Sequence, residues 1–328
     1  MCAAVFALLV ARAAALAPAH HSALVPTAAG AEKPEARVRL FALYGIADSS
    51  SKVAKGWLPG APEWCDVRFL DLVGHGARSK EALPAYALQE PDDQDVLAAC
   101  ASHRAAVAEE LCDALDPFVD EPFALYGFSL GAILLYEVCR VLEARGRPPP
   151  LRLFACGRGA PHCCPAARRD YAAIAAGDDE FVLDWMQNLD FPTTTLPKRI
   201  RPRAAKLFRM GLLLGAQEGD ADDDDDGGAA PYWCGTFPED VPNADMPLLA
   251  GAPPKVDCPV VAVGSDVDRV WPPRTVDRWA DVADDYSRVA VPGVAHGDLM
   301  NHGAVRDAVF ASLEQGLGAR ESRGKEPR

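Results

Sequence analysis

The residues best suited to chemistry lie in the segment Gly127-Phe-Ser-Leu-Gly131. The apolar run Pro122–Tyr126, a predicted strand, precedes it, and a predicted helix from Ala132 to Arg145 follows it. A serine at the tip of such a turn needs glycine on both sides, because a side chain there would collide with the strand and helix. Its hydroxyl then stands above the sheet at the positive end of the helix. This pattern predicts that Ser129 is a nucleophile; an ordinary glycine-rich turn with a surface serine is the alternative.

A serine nucleophile needs a base and a group that orients the base. Two segments follow the last two predicted strands: Gly264-Ser-Asp-Val-Asp268 after Pro259–Val263, and Pro292-Gly-Val-Ala-His296 after Tyr286–Val291. A carboxylate and an imidazole are therefore expected at the same sheet edge as the serine. The chain order Ser, Asp, His is that of the α/β-hydrolases.

In this arrangement His296 would take the proton of Ser129 and return it to the leaving group. Asp268 would fix the imidazole tautomer and stabilise the imidazolium. Asp266 is the competing carboxylate; Asp268 is preferred because it lies deeper in the loop, where the chain turns toward the next helix. His302 is predicted to begin the closing helix instead of serving as the base.

An oxyanion formed during attack on a carbonyl requires two backbone N–H donors. One is expected from Leu130, directly after the serine, and the other from the loop after the first strand. That loop is Gly45-Ile-Ala-Asp-Ser-Ser-Ser51, whose small, turn-forming residues suit the role.

The chain around these residues alternates short apolar strands with helices, which is typical of a parallel sheet covered on both faces. We therefore predict an α/β fold. Further strands are predicted at Arg37–Tyr44, Val67–Leu70 and Leu151–Cys156, and further helices at 95–115, 273–282 and 304–317. The stretch from about 165 to 254 breaks the alternation with helical pieces and an acidic loop at 219–228, and is predicted to form a lid over the serine.

Composition limits the possible functions. A chain of 328 residues with 49% hydrophobic content can bury one large α/β core. The net charge of −14 argues against nucleic acids and anionic membranes as partners. The ten cysteines lack metal-ligand spacing, so no metal site is expected and they are predicted to be mostly reduced core thiols.

The two ends differ from the rest of the chain. Residues 1–31 hold no acidic residue, are rich in alanine and contain the apolar run from Ala3 to Val10. We predict that residues 1–35 form either a leader for the secretory or plastid route or a disordered tail of a cytoplasmic protein. The hydrolase domain is expected at 36–317, and residues 318–328 are expected to be a disordered tail. No membrane-spanning helix is expected.

Four blocks give the chain a specific resemblance to the type II thioesterases that accompany polyketide synthases, non-ribosomal peptide synthetases and fatty-acid synthesis. They are Leu40-Phe-Ala-Leu-Tyr-Gly-Ile-Ala-Asp-Ser49, Leu72-Val-Gly-His-Gly-Ala-Arg78, Pro122-Phe-Ala-Leu-Tyr-Gly-Phe-Ser-Leu-Gly-Ala132 and Leu153-Phe-Ala-Cys-Gly-Arg-Gly-Ala-Pro-His162. The last is the most specific to that family.

The resemblance implies an α/β-hydrolase fold with Ser129, Asp268 and His296 as a catalytic triad and with Leu130 and Ile46 as oxyanion donors. It implies hydrolysis of acyl thioesters on the phosphopantetheine arm of an acyl or peptidyl carrier protein, without a metal or organic cofactor, by a monomer. Phe128 stands where the family commonly has histidine.

Two other functions remain open on the sequence: a carboxylesterase or lipase that acts on free small molecules, and a non-catalytic hydrolase homologue that binds an acyl group. The lid carries six apolar residues that could cover an acyl chain or pack on the core: Phe181, Trp185, Met186, Leu207, Phe208 and Met210. It also carries six cations that could dock a carrier or form a solvated helix face: Lys198, Arg199, Arg201, Arg203, Lys206 and Arg209.

Overall fold

Six parallel strands form the centre of the protein in this computed structural model, which describes residues 23, 33, 35–84, 96–163, 168–189, 191–216 and 253–323. They lie in the order β2-β1-β3-β4-β5-β6. Their bounds are Val38–Leu43 (β1), Cys65–Phe69 (β2), Phe123–Phe128 (β3), Leu153–Cys156 (β4), Val260–Gly264 (β5) and Tyr286–Ala290 (β6). The predicted parallel α/β sheet is confirmed.

The middle of the sheet is apolar on both faces. Every residue of β3, β4 and β5 is buried, whereas the edge strand β6 alternates between exposed and half-buried residues. Continuous apolar runs are expected where helices cover both faces of a parallel strand. Because β3 lies between β1 and β4, the loops after those two strands flank the turn that carries Ser129.

Nine helices are described along the chain. They are Ser50–Trp57 (α1), Val96–Leu115 (α2), Leu130–Ala144 (α3), Arg168–Ala176 (α4), Asp179–Asn188 (α5), Arg201–Leu214 (α6), Pro273–Asp277 (α7), His296–Leu299 (α8) and Gly303–Arg323 (α9). None of these described helices is long and apolar enough to cross a membrane.

The helices cover both faces because the sheet grows in two directions. The crossover through α1 joins β1 to β2 on one side, and the crossover through α3 joins β3 to β4 toward the other. Right-handed crossovers of opposite direction place their helices on opposite faces. On the α1 face, the Trp57 ring lies 4.4 Å from the Tyr126 ring of β3 and 5.7 Å from the Phe310 ring of α9.

The predicted lid region contains three described helices, α4, α5 and α6. Arg104 of α2 donates to the carbonyl oxygens of Leu214 and Ala216 and so ties the end of α6 to the body of the protein. Residues 217–252, which include the acidic loop predicted at 219–228, lie outside the described residues.

Several elements differ from the sequence-based expectation. Helices α1 and α8 were not predicted, because each is short and lies where a loop was expected. Helix α4 was not predicted either; the helical pieces expected in the lid were Asp179–Leu189 and Ala204–Gly215. The helix predicted over 273–282 ends at Asp277 and continues as a 3-10 turn, Arg278–Asp281. Helix α9 runs to Arg323, beyond the tail boundary at 318, because Ala319, Arg320 and Glu321 are strong helix formers.

Two residues of the predicted leader contact the domain. Ala23 is buried, and its carbonyl oxygen accepts a hydrogen bond from the Asp71 backbone N–H at 2.9 Å. The Lys33 ammonium donates to the carbonyl oxygens of Ala61 and Pro62. The sequence does not indicate this contact, because a hydrogen bond between backbone groups does not depend on which side chains are present.

Candidate active site

Ser129 occupies a strained turn between β3 and α3. Its φ of 50° and ψ of −115° lie in a region that residues with a side chain rarely adopt. The flanking glycines allow this turn: a Cβ at Gly127 would lie 2.5 Å from the Ala132 backbone nitrogen, and one at Gly131 would lie 2.4 Å from the Leu43 carbonyl oxygen. The turn therefore has the strand–turn–helix geometry expected of a serine nucleophile.

Asp268 and His296 are joined by a hydrogen bond of 2.9 Å between Asp268 Oδ2 and His296 Nδ1. The other carboxylate oxygen of Asp268 accepts from the backbone N–H groups of Val270 and Trp271, both at 2.9 Å. Because an ionised carboxylate only accepts, the imidazole proton belongs on Nδ1, which leaves Nε2 with its lone pair. The loops after β5 and β6 thus place a buried carboxylate and an oriented imidazole together.

Asp266, the competing carboxylate, has a different position. Its side chain is exposed, and Oδ1 accepts from the backbone N–H of Gly293 at 2.7 Å. That hydrogen bond is the main cause of the lowered pKa of Asp266. Ser265 Oγ accepts from the Val294 N–H at 3.2 Å. These two residues connect the β5 loop to the loop that ends at His296, a positioning contact that the sequence analysis missed.

The imidazole of His296 lies beside the serine turn. Its ring centroid is 5.1 Å from that of Phe128, the residue before Ser129. A Cβ built on Gly157, which has a φ of +56°, would lie 2.8 Å from the Phe128 ring and 3.5 Å from His296 Cε1. His296 Nε2 is buried and has no hydrogen-bond partner in the described part of the chain, so it is not bonded to Ser129.

The loop after β1 packs directly against Ser129. A Cβ at Gly45 would lie 3.2 Å from the Ser129 Cβ, so Ile46 follows a residue in close contact with the serine. Ala47 has a φ of 54° and is, like Ser129, a strained residue with a side chain. Leu130 is the first residue of α3, where backbone N–H groups lack intrahelical partners. The N–H groups of Ile46 and Leu130 therefore come from the two segments that flank Ser129.

A buried carboxylate that the sequence analysis did not single out holds this loop. Asp71, at the end of β2, is fully buried and accepts from Ser50 Oγ at 2.8 Å and from the Ser50 and Ala77 N–H groups at 3.1 and 2.7 Å. Ser50 begins α1, directly after the loop of Ile46. Burial and the Asp71 charge raise the pKa of Tyr44, whose hydroxyl lies beside this carboxylate. The available signal was an aspartate followed by Gly74 and Gly76 at a strand end.

The block around Arg158 connects the lid to the Asp268 loop. The Arg158 side chain is buried, donates to the Gly215 carbonyl oxygen at 3.0 Å and lies 4.1 Å above the Trp271 ring. The Trp271 N–H is one of the donors to Asp268. His162 lies farther away and bonds Asp281 at 2.9 Å. The block therefore supports the site through the contact of Arg158 with Trp271.

Other reactive side chains do not compete with Ser129 in the described part of the chain. Its cysteines are free and buried, and burial raises the pKa of Cys156 and Cys163 to about 12. A thiol with such a pKa is not a thiolate near neutral pH. Among the described residues, no three histidine, cysteine or acidic side chains form a cluster that could hold a metal ion.

The six apolar residues of the lid differ in burial, and Trp185 and Leu207 are partly buried against the core. Met186, Phe208 and Met210 are buried in the core, whereas Phe181 is 38% exposed. Helix α6 lies against the Ile46 loop, since a Cβ at Gly211 would lie 2.8 Å from the Ile46 side chain. The lid thus reaches the edge of the site through this contact.

Comparison with known proteins shows that this chain is similar to thioesterases. Residues 69–196 match the model of the thioesterase domain family. The gramicidin S biosynthesis protein GrsT of Aneurinibacillus migulanus is 26% identical over 147 residues, 45% of this chain and 49% of that protein. The human medium-chain S-acyl fatty acid synthase thioesterase is 27% identical over 124 residues, 38% of this chain and 40% of that protein. The chain spans about half the length of the curated relatives it matches, or less.

Solved structures agree on the fold over most of the chain. The RedJ thioesterase of the prodiginine pathway in Streptomyces coelicolor aligns with a TM-score of 0.58 and 24% identity, covering 92% of this chain and 96% of that one. The type II thioesterase BorB of the borrelidin cluster aligns with a TM-score of 0.59 and 20% identity, covering 92% and 100%. The chain therefore shares the fold of these thioesterases, and residues 69–196 resemble the thioesterase domain.

Proposed function

We propose that the protein is a serine thioesterase that hydrolyses acyl thioesters carried on the phosphopantetheine arm of an acyl or peptidyl carrier protein. The observation that carries this proposal is the buried Asp268–His296 hydrogen bond beside the strained Ser129 turn. The thioesterase family match favours a thioester over an oxygen ester as substrate.

In the proposed mechanism, Ser129 Oγ attacks the thioester carbonyl while His296 Nε2 takes the hydroxyl proton. Asp268 holds the proton on Nδ1 and stabilises the imidazolium that forms. Nε2 makes no competing hydrogen bond to a described residue, so its lone pair can accept this proton.

The tetrahedral intermediate places a negative charge on the former carbonyl oxygen. The N–H of Leu130, at the positive end of α3, and the N–H of Ile46 are the proposed donors to this oxygen. Collapse of the intermediate breaks the C–S bond, and the imidazolium protonates the leaving thiolate, which departs as the thiol. Water then attacks the acyl-serine with His296 as base, which releases the acid and restores Ser129.

The test compares three proteins: wild type, Ser129→Ala and Ser287→Ala. Ser287 is an exposed serine of β6 outside the site and serves as the matched control. We expect a fluorophosphonate probe to label wild type and Ser287→Ala but not Ser129→Ala. We also expect Ser129→Ala to lower acid release from a medium-chain acyl carrier protein by at least about 10³-fold.

The two alternatives give different results. An esterase would cleave a p-nitrophenyl ester of the same acid faster than the carrier-bound thioester. An acyl-binding homologue would show neither labelling nor turnover while remaining folded. Either result would contradict the proposed function.

A further inference from the structure

The lid carries a basic surface on an otherwise acidic protein. Six basic residues and no acidic one lie between residues 196 and 216, whereas the whole chain has a net charge of −14. Two of the six are used inside the fold: Arg209 is fully buried and donates to Ile174 and Gly177 carbonyls, and Arg201 pairs with Glu180. Of the remaining four, Arg203 donates to backbone carbonyl oxygens, whereas Lys198, Arg199 and Lys206 form no ion pair with a described residue.

Tertiary structure adds a cation from another segment. Arg203 donates to the carbonyl oxygens of Gly74 and Ser79, which brings the exposed Lys80 next to the lid. We call the resulting group the basic lid surface: Lys80, Lys198, Arg199, Ile200, Arg203 and Lys206. Ile200, which follows Arg199 in the chain, is 40% exposed. Lys198 and Arg199 are exposed and form no ion pair with a described residue.

This surface lies within reach of the candidate site. Helix α6 begins at Arg201, and Gly211, which contacts Ile46, follows ten residues later, about 15 Å along the axis. A phosphopantetheine arm has about as many backbone bonds as five residues of extended chain, which gives it a reach of roughly 16 Å. The arm of a partner bound at the start of α6 could therefore deliver its thioester near Ser129.

We propose that the basic lid surface docks the carrier protein, with its cations facing acidic side chains and the phosphodiester of the arm, and with Ile200 contacting an apolar residue between them. The partner's identity rests on the proposed thioesterase function. Charge complementarity selects an acidic partner, because the rest of this acidic protein repels one.

The test measures binding of a fluorescently labelled holo-acyl carrier protein by anisotropy. Two variants probe two segments of the surface: Lys198→Glu with Arg199→Glu in the lid, and Lys80→Glu in the loop after β2. The control, Lys55→Glu with Lys255→Glu, changes two exposed lysines outside the lid and shifts the net charge as much as the lid pair does. Thermal melts check that every variant is folded.

We expect the dissociation constant to rise about tenfold or more for the lid pair, to rise by a smaller factor for Lys80→Glu, and to change less than about twofold for the control. Affinity for wild type should also fall as salt is added. Unchanged affinity in the lid pair, or an equal loss in the control, would overturn the proposal.

A parallel assay separates this inference from the proposed function. The lid pair should raise KM for acyl carrier protein but leave turnover of the same acyl group on pantetheine unchanged. If wild type hydrolyses the thioester and the lid pair has the same KM for acyl carrier protein, the docking surface alone is rejected. Carrier binding that depends on the lid pair, without hydrolysis by wild type, would reject the thioesterase function alone.

Discussion

At the scale of single residues, two aspartates in one loop have separate environments. Asp268 is buried and bonded to His296, whereas Asp266 is exposed and accepts from Gly293. In an extended segment, residues two positions apart point to the same side, so Asp266 and Asp268 would normally lie together. The turn at 266–268 separates the two side chains instead. A role as orienting group therefore belongs to Asp268, and a loop-connecting role belongs to Asp266.

This division predicts different effects of two equivalent substitutions. Asp268→Asn should lower kcat for thioester hydrolysis by about 10³-fold or more, because the amide no longer fixes the imidazole tautomer. Asp266→Asn should lower kcat by less than about tenfold, because it weakens contacts to Gly293 and Ser265 and leaves the Asp268–His296 hydrogen bond in place. Steady-state rates of both variants check this, with circular dichroism to confirm folding. Similar losses in both would contradict the assignment.

A second residue-scale prediction concerns pH and His75. Burial lowers the pKa of His75, despite the nearby Asp71 charge that raises it, and the imidazole packs against the Tyr44 ring. As the pH falls below about 6.5, the His75 imidazole therefore takes up a proton more readily in the unfolded chain than in the folded chain. The free energy of unfolding that comes from burying the neutral His75 imidazole is present above that pH and is lost below it.

His75→Gln removes the titrating group and keeps a donor for the Val73 carbonyl. Between about pH 7.5 and pH 5.5, the free energy of unfolding should fall more for wild type than for the variant. Urea unfolding at both pH values measures this difference. His103 and His162, whose pKa values are also lowered, contribute equally to both proteins. An identical pH dependence would exclude His75 as a contributor.

At the scale of elements, the loops at the carboxyl edge of the sheet are held by contacts between distant segments. Asp71 bonds the start of α1 to the turn at Ala77, and Ser265 bonds the β5 loop to the β6 loop. Short parallel strands end at one edge, but their loops would be mobile without such contacts. The geometry of the candidate site is therefore a property of the loop network as much as of the strands.

The contact of Ala23 with Asp71 predicts where the chain can be shortened. Deletion of residues 1–31 removes the carbonyl that accepts from the Asp71 N–H, and an unsatisfied buried donor costs about 1–3 kcal/mol. Deletion of residues 1–18 keeps Ala23 and serves as the control. Chemical denaturation should show lower stability for the longer deletion only. Equal stability of the two proteins would show that this contact is dispensable.

At the scale of the whole molecule, the lid is connected to the reacting groups at two points. Gly211 of α6 contacts Ile46, and Arg158 joins the end of α6 to Trp271, whose N–H donates to Asp268. A change in the lid can therefore reach both the proposed oxyanion donor and the orienting carboxylate.

Gly211→Ala tests the first connection. The new Cβ would lie 2.8 Å from the Ile46 side chain, so the loop must move by some tenths of an ångström. We expect kcat to fall about tenfold with little change in the melting temperature, because a misplaced donor weakens transition-state stabilisation. Gly318→Ala in α9, where a Cβ meets nothing within 4 Å, is the control. An unchanged kcat would show that lid and loop are uncoupled.

The strands and the Ser129 turn were predictable from sequence because interactions between residues close together in the chain determine them. Apolar runs predicted the parallel strands, and Gly127 and Gly131 predicted the Ser129 turn, since backbone crowding within a few residues demands glycine there. The assignment of Ser129, Asp268 and His296 as catalytic, with Leu130 and Ile46 as oxyanion donors, stays a prediction for the experiments above.

Tertiary structure decided what depends on contacts between distant segments. The sequence left Asp266 and Asp268 as competitors, and the direction of each side chain toward or away from His296 follows from how the β5 and β6 loops fold together. The same holds for the burial of Arg209 among the lid cations, the approach of Lys80 to that lid and the contact of Ala23 with Asp71. A sequence pattern shows the hydrophobic period of a helix or strand, whereas these contacts depend on where the elements meet in space.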